Sequence, residues 1–165
     1  ATRLALITSV KLDGLGGSAT AFTAGFGKID MLAARAYTAN GTGGTALTIT
    51  TNNMKLATAM GTNLVSGGST AGEIRGSATA TLTAGTATLD TQPMGIFSFT
   101  FGTAANVIYV PTPIDLFNWL DAGYQPLVLA ANEGFVLRAT VPATGTWQWS
   151  ATVKWTEVES FADRG

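Results

Sequence analysis

The sequence predicts an all-β protein: an antiparallel β-sandwich, with a jelly roll as the expected connectivity, in one domain over residues 1–165. Threonine and alanine are abundant and 20 glycines punctuate short apolar stretches, a composition typical of strands and tight turns. Apolar and polar residues alternate along most of these stretches, which is the period of a half-buried strand. A chain of 165 residues is long enough to bury a sizeable single core.

The N-terminal part predicts strands separated by glycine-rich turns. Alternation over residues 4–10 indicates a first strand, and DGLGGS at residues 13–18 indicates the turn that closes it. The clearest hairpin has Tyr37 on one arm and residues 47–49 on the other. Its loop is NGTGG, residues 40–44, where glycines can adopt the positive φ that such a loop requires.

The middle of the chain predicts a long loop followed by further strands. Residues 53–76 are polar and glycine-rich, so we expect a loop with one short strand near Leu64. Small alternating side chains over residues 77–91 predict a strand that a neighbour must cover. IFSFTF, residues 96–101, places its three phenylalanines on one face and predicts a central strand, with residues 106–110 as its hairpin or sandwich partner.

One short helix is predicted near residues 113–120. Thr112 can cap its N-terminus, and Pro113 suits the first helical position. Asp115 suits the first turn, and Gly123 can end the helix. After this segment the chain returns to alternating strands joined by a turn at ANEG.

The segment around this helix interrupts the β pattern and is rich in aromatic residues. Phe117, Trp119 and Tyr124 all lie within it. Two interpretations stay open: a lid over the core, or a contact patch on the surface. Aromatic anchors on a surface segment are typical of binding hot spots, so we predict that these three residues lie at a partner interface.

The stretch TWQWSATVKW, residues 146–155, holds three of the four tryptophans. Because side chains alternate along a strand, Trp147, Trp149 and Trp155 share one face, and polar residues occupy the other. This partition predicts that the rings lie in the core or at a subunit contact. The alternative is a row of rings that stacks on sugars, but such a platform needs polar groups beside the rings on the same face.

Composition excludes several function classes. The 9 basic and 10 acidic residues are scattered, so the chain lacks the basic footprint of a nucleic-acid or membrane-surface binder. Cysteine and histidine are absent, which removes thiolate and imidazole metal ligands and the commonest general base. No apolar run approaches the roughly 18 residues that span a bilayer. We therefore expect no catalytic residue, cofactor or metal ion, and no nucleic-acid or membrane partner.

Weaker signals have simpler explanations. DGLGGS lacks the G-K-[ST] ending of a phosphate-binding loop. A hydrolase built on carboxylates would need two of the ten acidic residues to converge in a cleft, and no spacing indicates such a pair. Ala1 is compatible with removal of an initiator Met or of a longer pro-segment.

Residues 125–161 resemble the C-terminal part of small β-sandwich virion proteins of tailed bacteriophages. Those proteins carry a similar ANEGFV-R turn and strand, here residues 131–138, followed by a GTW…V-W-EV strand, here residues 145–158. The resemblance implies a non-enzymatic virion protein, a head decoration or cement protein on the capsid surface. Its expected partners are the major capsid protein and further copies of itself, usually as a trimer.

The composition agrees with this expectation. Charged residues make up only 12% of the chain, so part of its surface is expected to be covered in an assembly. The second hypothesis is a carbohydrate- or receptor-binding module of a phage tail fibre, which would need an exposed row of aromatic rings with polar neighbours.

Overall fold

The computed structural model describes most of the chain, and all of the regular structure in that part is β. The described residues are 4–46, 65–66, 70–71, 74–76, 83, 85–101, 107–110, 113–121, 123 and 125–162. The strands are β1 (Leu4–Ser18), β2 (Gly25–Ala39), β3 (Thr45–Ala46), β4 (Val65–Ser66), β5 (Thr70–Ala71), β6 (Arg75–Gly76), β7 (Thr86–Leu89), β8 (Gly95–Phe101), β9 (Val107–Val110), β10 (Ile114–Asn118), β11 (Leu127–Leu129), β12 (Gly134–Thr140) and β13 (Thr146–Val158).

The strands form two larger antiparallel sheets, one around β1 and one around β2. β1 pairs with β13 along one side and with β11, β10 and β9, end to end, along the other. β2 pairs with β12 on one side and with β8 and β7 on the other. Two small two-stranded sheets join β3 to β6 and β4 to β5. The predicted all-β class with antiparallel strands is confirmed.

The core lies between the two long central strands. Its buried cluster consists of Ala5, Ile7, Val10, Leu12 and Leu15 of β1, Ile29 and Met31 of β2, and Leu116 of β10. Flanking strands add partly buried side chains, among them Phe97 of β8 and Phe135 of β12. Removing such apolar surface from water, at about 25 cal/mol per Å², is the main favourable contribution to folding.

Two bulges in β1 keep its apolar residues on the core side. In a regular strand the step from Ile7 to Val10 would turn the side chain to the opposite face, as would the step from Leu12 to Leu15. The register against β13 shifts once after Ile7 and once after Leu12, so β1 carries an extra residue at each place. All four side chains therefore stay in the core.

The turn predicted at residues 13–18 is wrong, because β1 continues through this glycine-rich stretch. Gly17 lies opposite Trp147 of β13. A Cβ at Gly17 would come within 2.7 Å of the indole ring, so the ring occupies the space that a side chain at this position would need. Here glycine marks close packing rather than a reversal of the chain.

The first half of β2 was not predicted, because it has no alternation to detect. Residues 29–34 are all buried, so apolar side chains follow one another without exposed polar ones between them. This pattern is typical of a strand covered on both faces, and periodicity alone does not distinguish it from a buried helix segment.

The structure describes the Tyr37 arm and the loop of the hairpin predicted around residues 40–44. Tyr37 belongs to β2, whose end pairs with β7, while β3 pairs with β6. The other predicted arm, residues 47–49, lies outside the described residues. The short strand predicted near Leu64 is present as β4, which pairs with β5. Of the strand predicted over residues 77–91, the structure describes β7.

The alternation predicted for IFSFTF is confirmed in β8. Phe97 and Phe99 pack against the core, while Ser98 and Thr100 are exposed. The strand is not central, since it pairs only with β2 among the described strands. β9, the predicted partner, pairs with β1 and so belongs to the other sheet.

The helix predicted near residues 113–120 is wrong: these residues form β10, followed by a turn at residues 119–121. The register between β10 and β1 shifts around Leu116, which is the extra residue of a bulge. As a result, Ile114, Leu116 and Phe117 all pack in or against the core. The capping residues that indicated a helix are local signals, and the pairing of this segment with β1 overrides them.

Candidate functional site

The turn that follows β10 presents two exposed apolar side chains. Trp119 is 36% exposed and Leu120 is 51% exposed. Asn118 organises the turn, because its Oδ1 accepts a hydrogen bond from Leu120 N and its carbonyl oxygen accepts one from Asp121 N, both at 3.1 Å. Trp119 N donates to the carbonyl oxygen of Thr8 at 3.0 Å, which ties the turn to β1. We call Trp119 and Leu120 the β10 turn surface.

The other residues of the predicted contact are placed differently. Phe117 lies opposite Val10 and is partly buried against the core, so its ring is mainly a packing element. Tyr124 lies outside the described residues, as does Thr112, the predicted helix cap. A partner contact by this segment stays a prediction, and within the described residues it depends on the β10 turn surface.

The three C-terminal tryptophans share the core-side face of β13. Trp147, Trp149 and Trp155 lie opposite core-side residues of β1. Trp155 packs against the core cluster, whereas Trp149 is 37% exposed. The sequence pattern gives the shared face, but it does not reveal which ring keeps contact with solvent.

Trp147 belongs to an aromatic cluster at one end of the molecule. Its ring centroid lies 5.2 Å from that of Phe22 and 6.3 Å from that of Phe99, distances at which aromatic rings attract each other. Its Nε1 donates to the carbonyl oxygen of Thr144 at 3.2 Å. The indole is therefore engaged by neighbours of its own chain.

A buried charge cluster lies on the face of β2 that points away from the core. The side chain of Asp30 is 0% exposed, and its Oδ2 is contacted by Lys28 Nζ at 2.8 Å and by Arg138 Nη2 at 3.1 Å. Burial raises the pKa of Asp30, but the hydrogen bonds and charges of Lys28 and Arg138 outweigh it and hold the pKa below its ordinary value.

This cluster is suited to a structural role. Because its pKa is lowered, Asp30 stays ionised near neutral pH and keeps its ion pairs with Lys28 and Arg138 there. Arg138 belongs to β12 and Asp30 to β2, so the pair ties neighbouring strands together. Among the residues that the structure describes, no group of three or more acidic side chains is placed to hold a metal ion.

The residues that carry the virion-protein resemblance connect the two sheets. The turn at residues 131–134 leads from β11 in the β1 sheet to β12 in the β2 sheet. Asn132 adopts a φ of 63°, a left-handed conformation that asparagine tolerates well. Glu133 closes the turn, since its N–H donates to the carbonyl oxygen of Ala130 at 3.2 Å and its Oε2 accepts from Ala130 N at 3.0 Å.

Further contacts fix this turn to β2. Asn132 O accepts a hydrogen bond from Tyr37 N at 3.0 Å. Arg35 donates from Nε and Nη2 to the carboxylate of Asp90, each at 3.2 Å, and its Nη1 lies 3.5 Å from Glu133 Oε1. The ANEG motif therefore has an evident structural function, which is to hold the connection between the sheets.

Comparison with protein-family models, with curated proteins and with solved structures finds no match to this chain. No helix in the described part of the chain has the length and hydrophobicity to cross a membrane. A functional proposal therefore depends on the chain's own residues and on the resemblance carried by residues 125–161.

Proposed function

We propose that this chain is a non-enzymatic virion structural protein of a tailed bacteriophage, a decoration or cement protein that binds the major capsid protein on the capsid surface. The observation that carries this proposal is the β10 turn surface, two exposed apolar side chains on a hydrogen-bonded turn. Tryptophan is among the residue types that dominate binding hot spots. The resemblance of residues 125–161 supplies the class of partner.

The energetics of a decoration protein fit such a surface. A turn that is already held by Asn118 and by the contact of Trp119 N with Thr8 loses little conformational freedom on binding, so more of the contact energy appears as affinity. Each bound copy then stabilises the assembled head lattice by mass action, because it binds the assembled capsid and not the free capsid subunits.

We further propose a β-sandwich with jelly-roll connectivity, and a three-fold contact that joins copies of the chain as trimers. β1 pairs with β13 and β2 pairs with β12, so strands from the beginning of the chain pair with strands from its end in a nested order. This order supports the jelly-roll connectivity. The trimer is supported by the virion-protein resemblance, and closed cyclic symmetry lets one contact serve every subunit.

The packing of the tryptophans favours this role over a sugar-binding tail-fibre module. A stacking platform needs a row of exposed rings. Trp147 packs on Phe22 and Phe99, and Trp155 packs against the core, which leaves Trp149 as the one exposed ring of the three.

Co-sedimentation with capsid shells tests the proposal. The shells are assembled from the major capsid protein of the phage that encodes this chain, in the absence of the chain itself. We expect the native chain to bind, and the double variant Trp119→Ala with Leu120→Ala to bind at least about tenfold more weakly, since truncating a hot-spot residue typically costs 2 kcal/mol or more.

A variant with matched exposure serves as the control. Ile96→Ala removes an aliphatic side chain that is 54% exposed and lies on β8, in the sheet that does not contain β10. We expect it to bind shells like the native chain. No binding by the native chain would refute the decoration role, and equal binding by the double variant would refute the role of the β10 turn surface.

A further inference from the structure

β13 forms a long edge of the β1 sheet. It has 13 residues and pairs only with β1 among the described strands. The opposite edge of the same sheet consists of β9, β10 and β11, with 4, 5 and 3 residues. Proteins discourage pairing with other chains by short edge strands, prolines, bulges and charged side chains. β13 contains no proline, the bulges of the β1–β13 pair lie in β1, and Lys154 and Glu157 are the two charged residues among its 13.

We propose that two copies of this chain pair through β13, antiparallel about a two-fold axis at Thr152, so that their β1 sheets form one continuous sheet. Residues that lie opposite each other across such an axis have their side chains on the same side of the sheet. With Thr152 opposite its own copy, Ser150 faces Lys154 of the second copy. On the core-side face, Trp149 faces Trp155 of the second copy.

Charge favours this register. Lys154 is the one charged residue among the exposed, outward-facing positions of β13. It would lie opposite Ser150 of the second copy, and Ser150 pairs with Gly14 of β1. Asp13, the exposed extra residue of the bulge, directly precedes Gly14. Each Lys154 therefore approaches an acid of the other copy, and the two-fold axis provides this contact twice.

The core-side face is complementary as well. Trp149 is 37% exposed, and pairing would cover it with the indole of Trp155 from the second copy. Beside the axis, Ala151 would face Val153, two small side chains that let the backbones approach. Aromatic and β-branched cross-strand pairs are among those that stabilise sheets.

This inference does not depend on capsid binding. A two-fold contact uses the same surface of both copies and closes on itself, so every particle must contain an even number of chains. Combined with the proposed trimer contact, it gives a pair of trimers. Trp119→Ala with Leu120→Ala, which tests capsid binding, should leave the number of chains per particle unchanged.

Single-cysteine variants test the register, because the chain contains no cysteine of its own. Thr152→Cys places two thiols directly opposite each other, near the separation that a disulfide bridges. Thr156→Cys is the matched control, with the same substitution on the same exposed side of β13. Its two thiols would be about 26 Å apart, since Thr156 lies opposite Gln148 at roughly 3.3 Å per residue.

We expect mild oxidation to convert most of Thr152→Cys, and little of Thr156→Cys, into a covalent dimer. Light scattering on the native chain should give an even number of chains, and Lys154→Glu should lower the dimer fraction by placing acids side by side. A monomer or an odd number of chains across a concentration series would overturn the proposal. So would equal cross-linking of the two cysteine variants.

Discussion

Replacing Gly95 with alanine is expected to destabilise the protein by about 3 kcal/mol, near the upper end of what overpacking usually costs. A Cβ at this position would overlap the carbonyl oxygen of Leu116. Gly95 begins β8 of the β2 sheet, and Leu116 lies in β10 of the β1 sheet, so this is a close approach between the edges of the two sheets. A backbone carbonyl held in a strand cannot turn aside as a flexible side chain can. Urea unfolding measures the difference.

Gly25→Ala is the matched control for this prediction. Gly25 also begins a strand of the β2 sheet, and a Cβ there would have no atom within 4 Å. We expect this variant to be as stable as the native chain, or slightly more stable, because alanine restricts the unfolded chain. Equal losses of stability in the two variants would contradict the close approach of β8 and β10.

The second large effect is expected for Asp30→Asn, which should lower the free energy of unfolding by about 2 kcal/mol at pH 7, the size of a lost charge-assisted hydrogen bond. The amide removes the charge that Lys28 and Arg138 contact at 2.8 and 3.1 Å. The amide oxygen can still accept hydrogen bonds from both donors, but these bonds are no longer assisted by a negative charge. Chemical denaturation at pH 7 provides the measurement.

The pH dependence of this difference follows from the lowered pKa of Asp30. The folded protein holds the carboxylate ionised at a pH where the unfolded chain, with a pKa near its ordinary 3.8, already takes up a proton. The stabilisation is therefore fully present above about pH 5 and is lost as the pH falls through the folded pKa. The native chain and Asp30→Asn should converge in stability under strongly acidic conditions.

Asp115→Asn controls for the removal of a carboxylate as such. Asp115 pairs with Lys11 at 3.6 Å across β10 and β1, but both side chains are exposed. Exposed ion pairs contribute about 0–1 kcal/mol, so this variant should lose little stability at any pH. If the two variants lost equal stability, burial of the Asp30 cluster would not be the cause.

Local alternation predicted those strands that have one exposed face. Phe97 and Phe99 in β8, and Trp147 and Trp155 in β13, follow the period of two that a half-buried strand requires. β13 pairs with β1, which lies at the other end of the chain. Such a pairing is decided by long-range packing, and a local pattern does not contain it.

Two of the wrong predictions depended on local residue types. The glycines at residues 13–18 indicated a turn, but β1 continues through them and Gly17 leaves room for the Trp147 ring. The capping residues around Pro113 indicated a helix, but β10 pairs with β1 as a strand. Both strands also contain bulges, so a single alternating period does not run through either of them.

The candidate site was predicted in part. Aromatic clustering identified the segment that contains Trp119, but burial decides which aromatic residues remain exposed, and Phe117 packs against the core. The charge cluster on β2 gave no sequence signal, because Asp30 and Arg138 are 108 residues apart. Only the pairing of β2 with β12 brings them together.

Counting the copies of this chain in purified virions, relative to the major capsid protein, tests the decoration role most directly. Quantitative mass spectrometry on virions of the tailed phage that we propose as the source of the chain provides this ratio. We expect a constant ratio of the same order as the major capsid protein, because a lattice offers one site for each repeating unit. Absence of the chain from virions, or the small number of copies that a tail holds, would contradict the proposed function.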